Sequence, residues 1–398
     1  MHTTSRGRSG VVIAGGGLAA QRAVETLRRS GFTKPIRLVA GEPLAPYDRP
    51  PLSKEYLTGT VDDDDLRFRP DDWYAEHDVD LLTGARATAL DVAGRARVLD
   101  SCRRLAFSEL LIATGGAPRT LPGTECFENV QMLRTIDDAR RLRDALVPGS
   151  RLAVIGAGFI GQEVAATAAS IGVEVTIVEA AEAPLAAVLG PSLGGWFAEL
   201  HRQEGIAVHV AARIARLHGT AAITAIELAD GRRVDCDAVL VGIGTEPATS
   251  WLRGSGLDDR GVQVDAAGRT RVPGIYAAGD ASRAFDARIG THERTEHWEA
   301  AARQGAAAAR AMLGLDPPPP AIPSFWSDQH GLRIQYLGHA HSADAITIDG
   351  EPDARDFTAT YTRDGTPVAA LLVGRPHALP QTRRLLERHT HPTERNAA

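Results

Sequence analysis

Two glycine-rich segments and one lysine hold most of the chemistry this chain could do. Gly156-x-Gly158-x-x-Gly161 is complete, and Gly15-x-Gly17-x-x-Ala20 is its near copy about 140 residues earlier. Such glycines let a backbone approach a pyrophosphate, while the N-terminus of the following helix holds the negative charge. Glu179 lies 18 residues past Gly161. A carboxylate there can accept both ribose hydroxyls of an adenosine and repel a 2′-phosphate, which favours NADH over NADPH. In the first copy the carboxylate comes late, as Gly41-Glu42. Two readings fit Glu42, a ribose ligand or a solvated loop charge. The lysine is Lys54, in P-Y-D-R-P-P-L-S-K at 46–54. The chain has 44 Lys and Arg together, and only Lys34 and Lys54 are lysines. Arg and Lys are not interchangeable where a compact point donor is needed.

The elements around these residues repeat as well. V-V-I-A-G-G-G-L-A-A-Q-R-A-V-E-T-L-R (11–28) and R-L-A-V-I-G-A-G-F-I-G-Q-E-V-A-A-T-A-A (151–169) each read as strand, turn and helix. A second apolar strand follows each, at 36–40 and 173–179. L-L-I-A-T-G-G-A-P-R (110–119) reads as a buried strand ending in Ala-Thr-Gly, and V-P-G-I-Y-A-A-G-D-A-S (272–282) as one ending in Gly279-Asp280. Asp280 reads either as a polyol or phosphate-side ligand or as a helix N-cap. Glu296 to Leu313 is an alanine-rich helical pattern stopped by Gly314, and Asp316 with Pro317 to Pro320 reads as a stiff linker. The last ~75 residues read as a β-rich module with strands R-I-Q-Y-L-G and F-T-A-T-Y-T.

At 398 residues the chain should hold two or three domains. Its net charge of −6 argues against nucleic acid as the main partner, and an acidic partner would need a local basic patch. The opening M-H-T-T-S-R-G-R-S-G shows no secretory signal, and no apolar run approaches the ~18–20 residues that cross a bilayer. Cys102, Cys126 and Cys236 lack any C-x-x-C spacing, which fits a reducing cytoplasm and offers no thiolate metal site. His292 and His297 have no common zinc spacing, so no metal is expected.

Taken together, the architecture resembles the two-dinucleotide-domain flavoprotein reductases. R-P-P-L-S-K (49–54), A-G-F-I-G-Q-E (157–163), E-H-W-E-A-A-A-R-Q-G (296–305) and F-W-S-D-Q (325–329) resemble a narrower group over nearly the whole chain. That group is the NADH-dependent ferredoxin reductases serving Rieske-type oxygenases and haem-thiolate monooxygenases, with apoptosis-inducing factor as a relative. The resemblance implies an α/β fold of two Rossmann-like domains of the glutathione-reductase type plus a C-terminal α+β interface domain. It implies FAD on residues 1–118 and 245–316, NADH on 119–244 and a β-rich domain at 321–398. The implied FAD contacts are Gly15, Gly17, Leu18, Ala19, Glu42, Arg49, Lys54, Ala87, Ala113, Thr114, Gly115, Arg134, Gly279, Asp280, Glu296, His297, Trp298 and Trp326. The implied NADH contacts are Gly156, Gly158, Phe159, Ile160, Gly161, Glu163, Glu179, Gly242 and Gly244. Lys54 would sit beside flavin N5 and pair with Glu163 across the nicotinamide pocket. Gly41 falls where relatives often have the ribose acid.

FAD would then convert hydride from NADH into single electrons for a [2Fe–2S] ferredoxin that feeds an oxygenase. A rubredoxin or small-acceptor reductase, or a redox-signalling flavoprotein like apoptosis-inducing factor, stays open as an alternative. The protein would act as a monomer or homodimer. Disulfide reductases of this architecture carry redox cysteines just past the first βαβ unit, where this chain has none. Arg283, Arg288, Arg294 and Arg333 are candidates for receiving an acidic ferredoxin, each of them also readable as a solvated surface charge.

Overall fold

The computed structural model describes residues 10–319, 321–340 and 343–390. Residues 1–9 of the opening segment, Pro320 of the expected linker and the last eight residues of the expected C-terminal domain lie outside the described residues. The chain forms two compact units. One comprises the described residues within 1–48, 66–117 and 246–321, the other those within 49–65, 118–245 and 322–398.

The first unit opens with β1 (Val11–Ala14), α1 (Leu18–Arg29) and β2 (Ile36–Val39), followed by β3 (Val79–Leu82) and β4 (Glu109–Ile112). β1 is buried throughout because a parallel sheet is covered on both faces. Its side chains alternate between the two cores, Val11 and Ile13 in one, Val12 and Ala14 in the other.

The second unit repeats the plan. It runs through β5 (Val130–Gln131), α2 (Ile136–Ala145), β6 (Arg151–Ile155), α3 (Phe159–Ser170), β7 (Glu174–Val178), α4 (Ala186–Gln203), β8 (Ala207–His209) and β9 (Ala238–Val241). Its sheet is parallel in the order β8-β7-β6-β9-β5. Two-residue loops cannot join parallel strands, so helices make the crossovers from β5 through β8, and three antiparallel strands (Ile214–Gly219, Ile223–Leu228 and Arg233–Asp235) connect β8 to β9.

The chain then returns to the first unit. β10 (Ile275–Ala277) pairs with β4 and completes the parallel order β10-β4-β1-β2-β3. α5 (Trp298–Met312) packs against α1 so closely that a Cβ on Gly305 would lie 2.1 Å from the Ala19 carbonyl oxygen. The helix starts two residues later than its sequence pattern suggests, because His297 is extended (φ −108°, ψ 142°) and serves as N-cap.

Within the second unit, β11 (Ser324–Gln329), β12 (Leu332–Gly338), β13 (Ala345–Glu351), β14 (Asp356–Arg363) and β15 (Thr366–Val373) form an antiparallel sheet. Its order is β11-β12-β15-β14-β13, and α6 (Leu379–Thr390) follows. Leu189, Leu193 and Phe197 of α4 share one core with Phe357, Tyr361 and Leu371 of this sheet.

Candidate functional site

In the first unit, Gly15 has φ +130°, and a Cβ there would lie 1.9 Å from the Ala113 carbonyl oxygen. Ala113-Thr114-Gly115 therefore crosses directly against the turn, and only glycine can stand at 15. Gly17 is the extended N-cap of α1, with no capping side chain and no acid in the first turn. A Cβ on Gly17 would meet nothing within 4 Å. The N–H groups of Leu18 and Ala19 thus open an uncapped helix end onto clear space, the donor set that a pyrophosphate fits. α2 shows the contrast, since Thr135 and Asp138 close its N-terminus with a full capping box.

Two returning segments join this mouth. A Cβ on Gly279 would lie 3.3 Å from Ala19 Cβ, so the 3-10 turn Gly279–Ala281, which includes Asp280, lies beside the start of α1. The Gly279 N–H donates to Gln304 Oε1 at 2.7 Å, and Thr114 Oγ1 donates to the Ala248 carbonyl at 2.7 Å. Gly279 thus makes the close approach to α1. Trp298 starts α5 and donates from Nε1 to Asp48 Oδ1 at 2.7 Å, while Glu296 pairs with Arg294 just before it.

Glu42 is not a bare loop charge, because Tyr47 donates its hydroxyl to Glu42 Oε2. The stem of Arg86 lies over Gly41, with Cγ 3.3 Å from where a Cβ would be. Arg86 had no signal of its own in the sequence; the missing side chain at Gly41 is what leaves it room. Ala87 lies half-buried at the start of the strand Ala87–Asp91.

The second glycine turn is built alike. Gly156 has φ +97°, and its Cβ would lie 2.5 Å from the Gly242 carbonyl oxygen. Gly161 packs on the same turn, its Cβ 2.5 Å from the Gly156 carbonyl oxygen. Gly158 is the extended N-cap of α3, again without a capping side chain or a first-turn acid. Phe159 and Ile160 follow, and Ile160 is exposed. Gly244 has φ +95° and open space around it. Glu179 accepts the Ala157 N–H at 2.6 Å and the Ala181 N–H at 2.8 Å, so its carboxylate is fixed at the end of β7.

Lys54 and Glu163 come together in the second unit. Pro50 to Ser53 form a 3-10 turn, and α3 carries Glu163 toward it. Lys54 Nζ donates to Glu163 Oε2 at 2.8 Å and to the Pro50 carbonyl at 3.1 Å. The side chains are 11% and 3% exposed. Ser53 Oγ donates to the same Oε2 at 2.5 Å, and Ser327 Oγ of β11 donates to Oε1 at 2.6 Å. Gln329 Nε2 in turn donates to Ser327 Oγ at 3.0 Å. The buried carboxylate therefore has three donors, which is what a charge in that position requires. An ammonium has three N–H groups. Among the described residues, the third Lys54 N–H has no protein acceptor. Ser53 and Ser327 are site residues that the sequence alone did not single out.

Arg49 donates to the Arg134 carbonyl, and Arg134 leads into the capped start of α2. Trp326 lies half-buried on β11 with the Arg333 guanidinium 5.9 Å from its ring centre. Three of the four candidate docking arginines are already paired: Arg288 with Asp286, Arg294 with Glu296 and Arg333 with Asp328. Arg283 donates to the His292 carbonyl at 3.2 Å. Among the described residues no cluster of three metal-ligating side chains occurs.

Residues 9–305 match the family described as pyridine nucleotide-disulphide oxidoreductase, and residues 324–398 match the reductase C-terminal family. The chain is 39% identical over 345 residues to the biphenyl dioxygenase system ferredoxin--NAD(+) reductase component of Paraburkholderia xenovorans, covering 86% of this chain and 84% of that protein. It is 37% identical over 380 residues to the ferredoxin reductase component of chlorobenzene dioxygenase from a Cupriavidus species, covering 95% and 92%. Putidaredoxin reductase, solved in covalent complex with putidaredoxin, superposes with a TM-score of 0.93 at 32% identity over 96% of this chain and 94% of that one. The chain belongs to the pyridine nucleotide-disulphide oxidoreductases and, among them, to the FAD-dependent ferredoxin--NAD(+) reductases.

Proposed function

We propose that this protein takes reducing equivalents from NADH and passes them through FAD to a [2Fe–2S] ferredoxin that feeds an oxygenase. The observation that carries it is the pair of glycine turns, each opening an uncapped helix with no first-turn acid. Two such ends accept two dinucleotides. The dioxygenase-system reductases and the putidaredoxin complex support an iron–sulfur acceptor.

In this reading Gly15, Gly17, Leu18, Ala19 and Asp280 hold the FAD pyrophosphate and ribityl side, with Ala113 to Gly115 beneath. Glu42, held by Tyr47, and Arg86 take the adenosine end. Gly156 to Gly161 bind the NADH pyrophosphate, and Glu179 takes its adenosine ribose. FAD, when bound, supplies the exchange between paired and single electrons. Lys54 uses two N–H groups on Glu163 and Pro50, and its third would be the donor to the flavin N5 edge. Ser53 and Ser327 share the load on Glu163, so Lys54 is oriented by it rather than consumed by it. We divide the chain into FAD-binding residues 1–118 and 245–316, NADH-binding residues 119–244 and a C-terminal domain at 321–398.

Among the described residues no helix is long and apolar enough to cross a membrane. The three cysteines, all free, support a cytoplasmic setting. Purified protein should show flavin absorbance that bleaches with about one equivalent of NADH under anaerobic conditions, and slowly with NADPH. Added dioxygenase-type ferredoxin should then couple NADH oxidation to cytochrome c reduction. A colourless protein that binds no added FAD refutes the flavin assignment, and bleaching without transfer to any such ferredoxin refutes the acceptor.

A further inference from the structure

The turn Gly156-Ala157-Gly158 is clamped from two sides. Glu179 takes the Ala157 N–H, while the Ala157 carbonyl accepts from Gln162 Nε2 at 2.8 Å. Gln162 is fully buried on α3. Its Oε1 lies 2.9 Å from Nε2 of His201, a fully buried residue of α4. His201 Nδ1 in turn lies 2.9 Å from Nε2 of His330. His330 and Gly331 form the two-residue turn between β11 and β12, with φ of 51° and 73°, the left-handed pair that a tight hairpin demands.

With neutral imidazoles, the bond directions in this chain follow from its Ala157 end. A carbonyl only accepts, so the Gln162 NH2 must face Ala157 and its Oε1 must face His201. His201 therefore carries its proton on Nε2 and leaves Nδ1 bare, and His330 must carry a proton on Nε2. Burial supports this arrangement, holding the His201 pKa down to about 3 and keeping the ring neutral. A second proton on His201 would fall on Nδ1, opposed to the His330 N–H.

The chain has a consequence at its far end. A trans peptide is planar, so its N–H points opposite to its C=O. Pulling the Ala157 carbonyl inward to Gln162 turns the Gly158 N–H outward, to the open mouth of α3. We propose that Gln162, His201 and His330 are positioning residues for NADH: the hairpin turn of the C-terminal sheet fixes, through two buried side chains, the peptide whose N–H meets the pyrophosphate. This rests on the reading of the second glycine turn as the NADH site. Simple core packing is the competing account. It makes no demand on a donor at His330, whereas the hydrogen-bonded chain does.

The test uses full-length, FAD-loaded protein with His330→Asn, His330→Gln and Gly156→Ala. Asn tolerates a positive φ but is too short to reach His201, whereas Gln presents an amide donor at the reach of Nε2. Flavin absorbance changes give the Kd for NAD+, and ferricyanide reduction gives KM and kcat for NADH. His330→Asn should raise Kd and KM about tenfold, the equivalent of one buried hydrogen bond at about 1.4 kcal/mol, with kcat within twofold. His330→Gln should stay within threefold of the parent. An Asn variant with the parent's Kd and KM overturns the proposal, and so does a Gln variant as impaired as Asn. Gly156→Ala separates the two levels. If it loses NAD+ while His330→Asn does not, only the positioning chain fails; if it binds NAD+ normally, the NADH assignment fails and the chain with it.

Discussion

Replacing Lys54 and Glu163 one at a time and together measures how much the buried pair is worth. Lys54→Met leaves Glu163, 3% exposed, with the two serine hydroxyls as donors. Breaking a buried pair outright costs about 3–5 kcal/mol. The surviving hydroxyls return part of that, so a cost of about 3 kcal/mol follows. Glu163→Gln removes the charge but keeps an amide oxygen that can accept from the ammonium, 11% exposed, so a charge-assisted bond becomes an ordinary one at a cost of about 2 kcal/mol. The double variant lacks both charges and should cost about 3 kcal/mol rather than 5, a coupling of about 2 kcal/mol. For units of this size each kcal/mol lowers the midpoint by about 2–4 °C. Calorimetry of FAD-saturated protein at one scan rate should therefore show drops of roughly 9, 6 and 9 °C for Lys54→Met, Glu163→Gln and the double variant. Lys54→Arg keeps the charge but places a longer, planar group against Pro50 and Glu163, so it should recover less than half of the loss. Stopped-flow bleaching by NADH should slow at least tenfold in Lys54→Met, the scale of losing one oriented donor. Additive midpoints, with a coupling below about 0.5 kcal/mol, would show that the pair is not a unit and refute the argument.

Three further outcomes follow from particular contacts. Glu179→Ala removes the carboxylate that holds Ala157 and Ala181; in the proposed NADH site that carboxylate would repel a 2′-phosphate, so the NADPH-to-NADH ratio of kcat/KM should rise about tenfold or more, mainly through a higher NADH KM. Gly305→Ala puts a Cβ 2.1 Å from the Ala19 carbonyl oxygen; it should cost about 1–3 kcal/mol and speed FAD release, read as free-flavin fluorescence, with unchanged retention as the contrary result. His201 has its folded pKa depressed to about 3, while the unfolded chain takes up the proton near 6.5, so stability is fully present above about pH 6.5 and is lost as pH falls through that window. The slope approaches about 1.4 kcal/mol per unit and gives about 2 kcal/mol at pH 5, with His330, also depressed by burial, adding in the same direction; a His201→Gln variant should flatten the midpoint-against-pH curve.

What could be read from the sequence was what backbone geometry dictates. Gly15 and Gly156 stand where a carbonyl passes within 2.5 Å of any Cβ, so their spacing survives as a motif. Buried parallel strands such as Val11–Ala14 and Leu152–Ile155 read as apolar runs for the same reason. Ser53 and Ser327 could not be read, because each is a common residue whose role depends on a partner more than a hundred positions away. Gln162 lay inside a recognised motif, but its meaning comes from His201 and His330, which only tertiary packing brings to it. Likewise, nothing local predicts that residues 49–65 join the second unit. That membership follows from contacts such as Lys54 with Glu163, Thr167 with the Ser53 carbonyl, and Arg140 with Asp63.

The family description names a disulphide, yet the three cysteines here are free. Cys102 and Cys126 are exposed and free, and Cys236 is buried, which pushes its thiol pKa up to about 11 and keeps it protonated near neutral pH. In the segment just past the first βαβ unit, where thiol-dependent relatives hold their redox sulfur, this chain has Ser53 and Lys54 turned onto a buried carboxylate. A sulfur pair stores two electrons; an ion pair stores none and only orients. No cysteine stands in this segment, which accords with the proposed transfer from cofactor to external acceptor. Alkylation tests this directly. Iodoacetamide should modify Cys102 and Cys126 in native protein and leave NADH-dependent ferricyanide reduction unchanged. Inactivation in step with either modification would place a thiol in the electron path and overturn the orienting role given to Lys54.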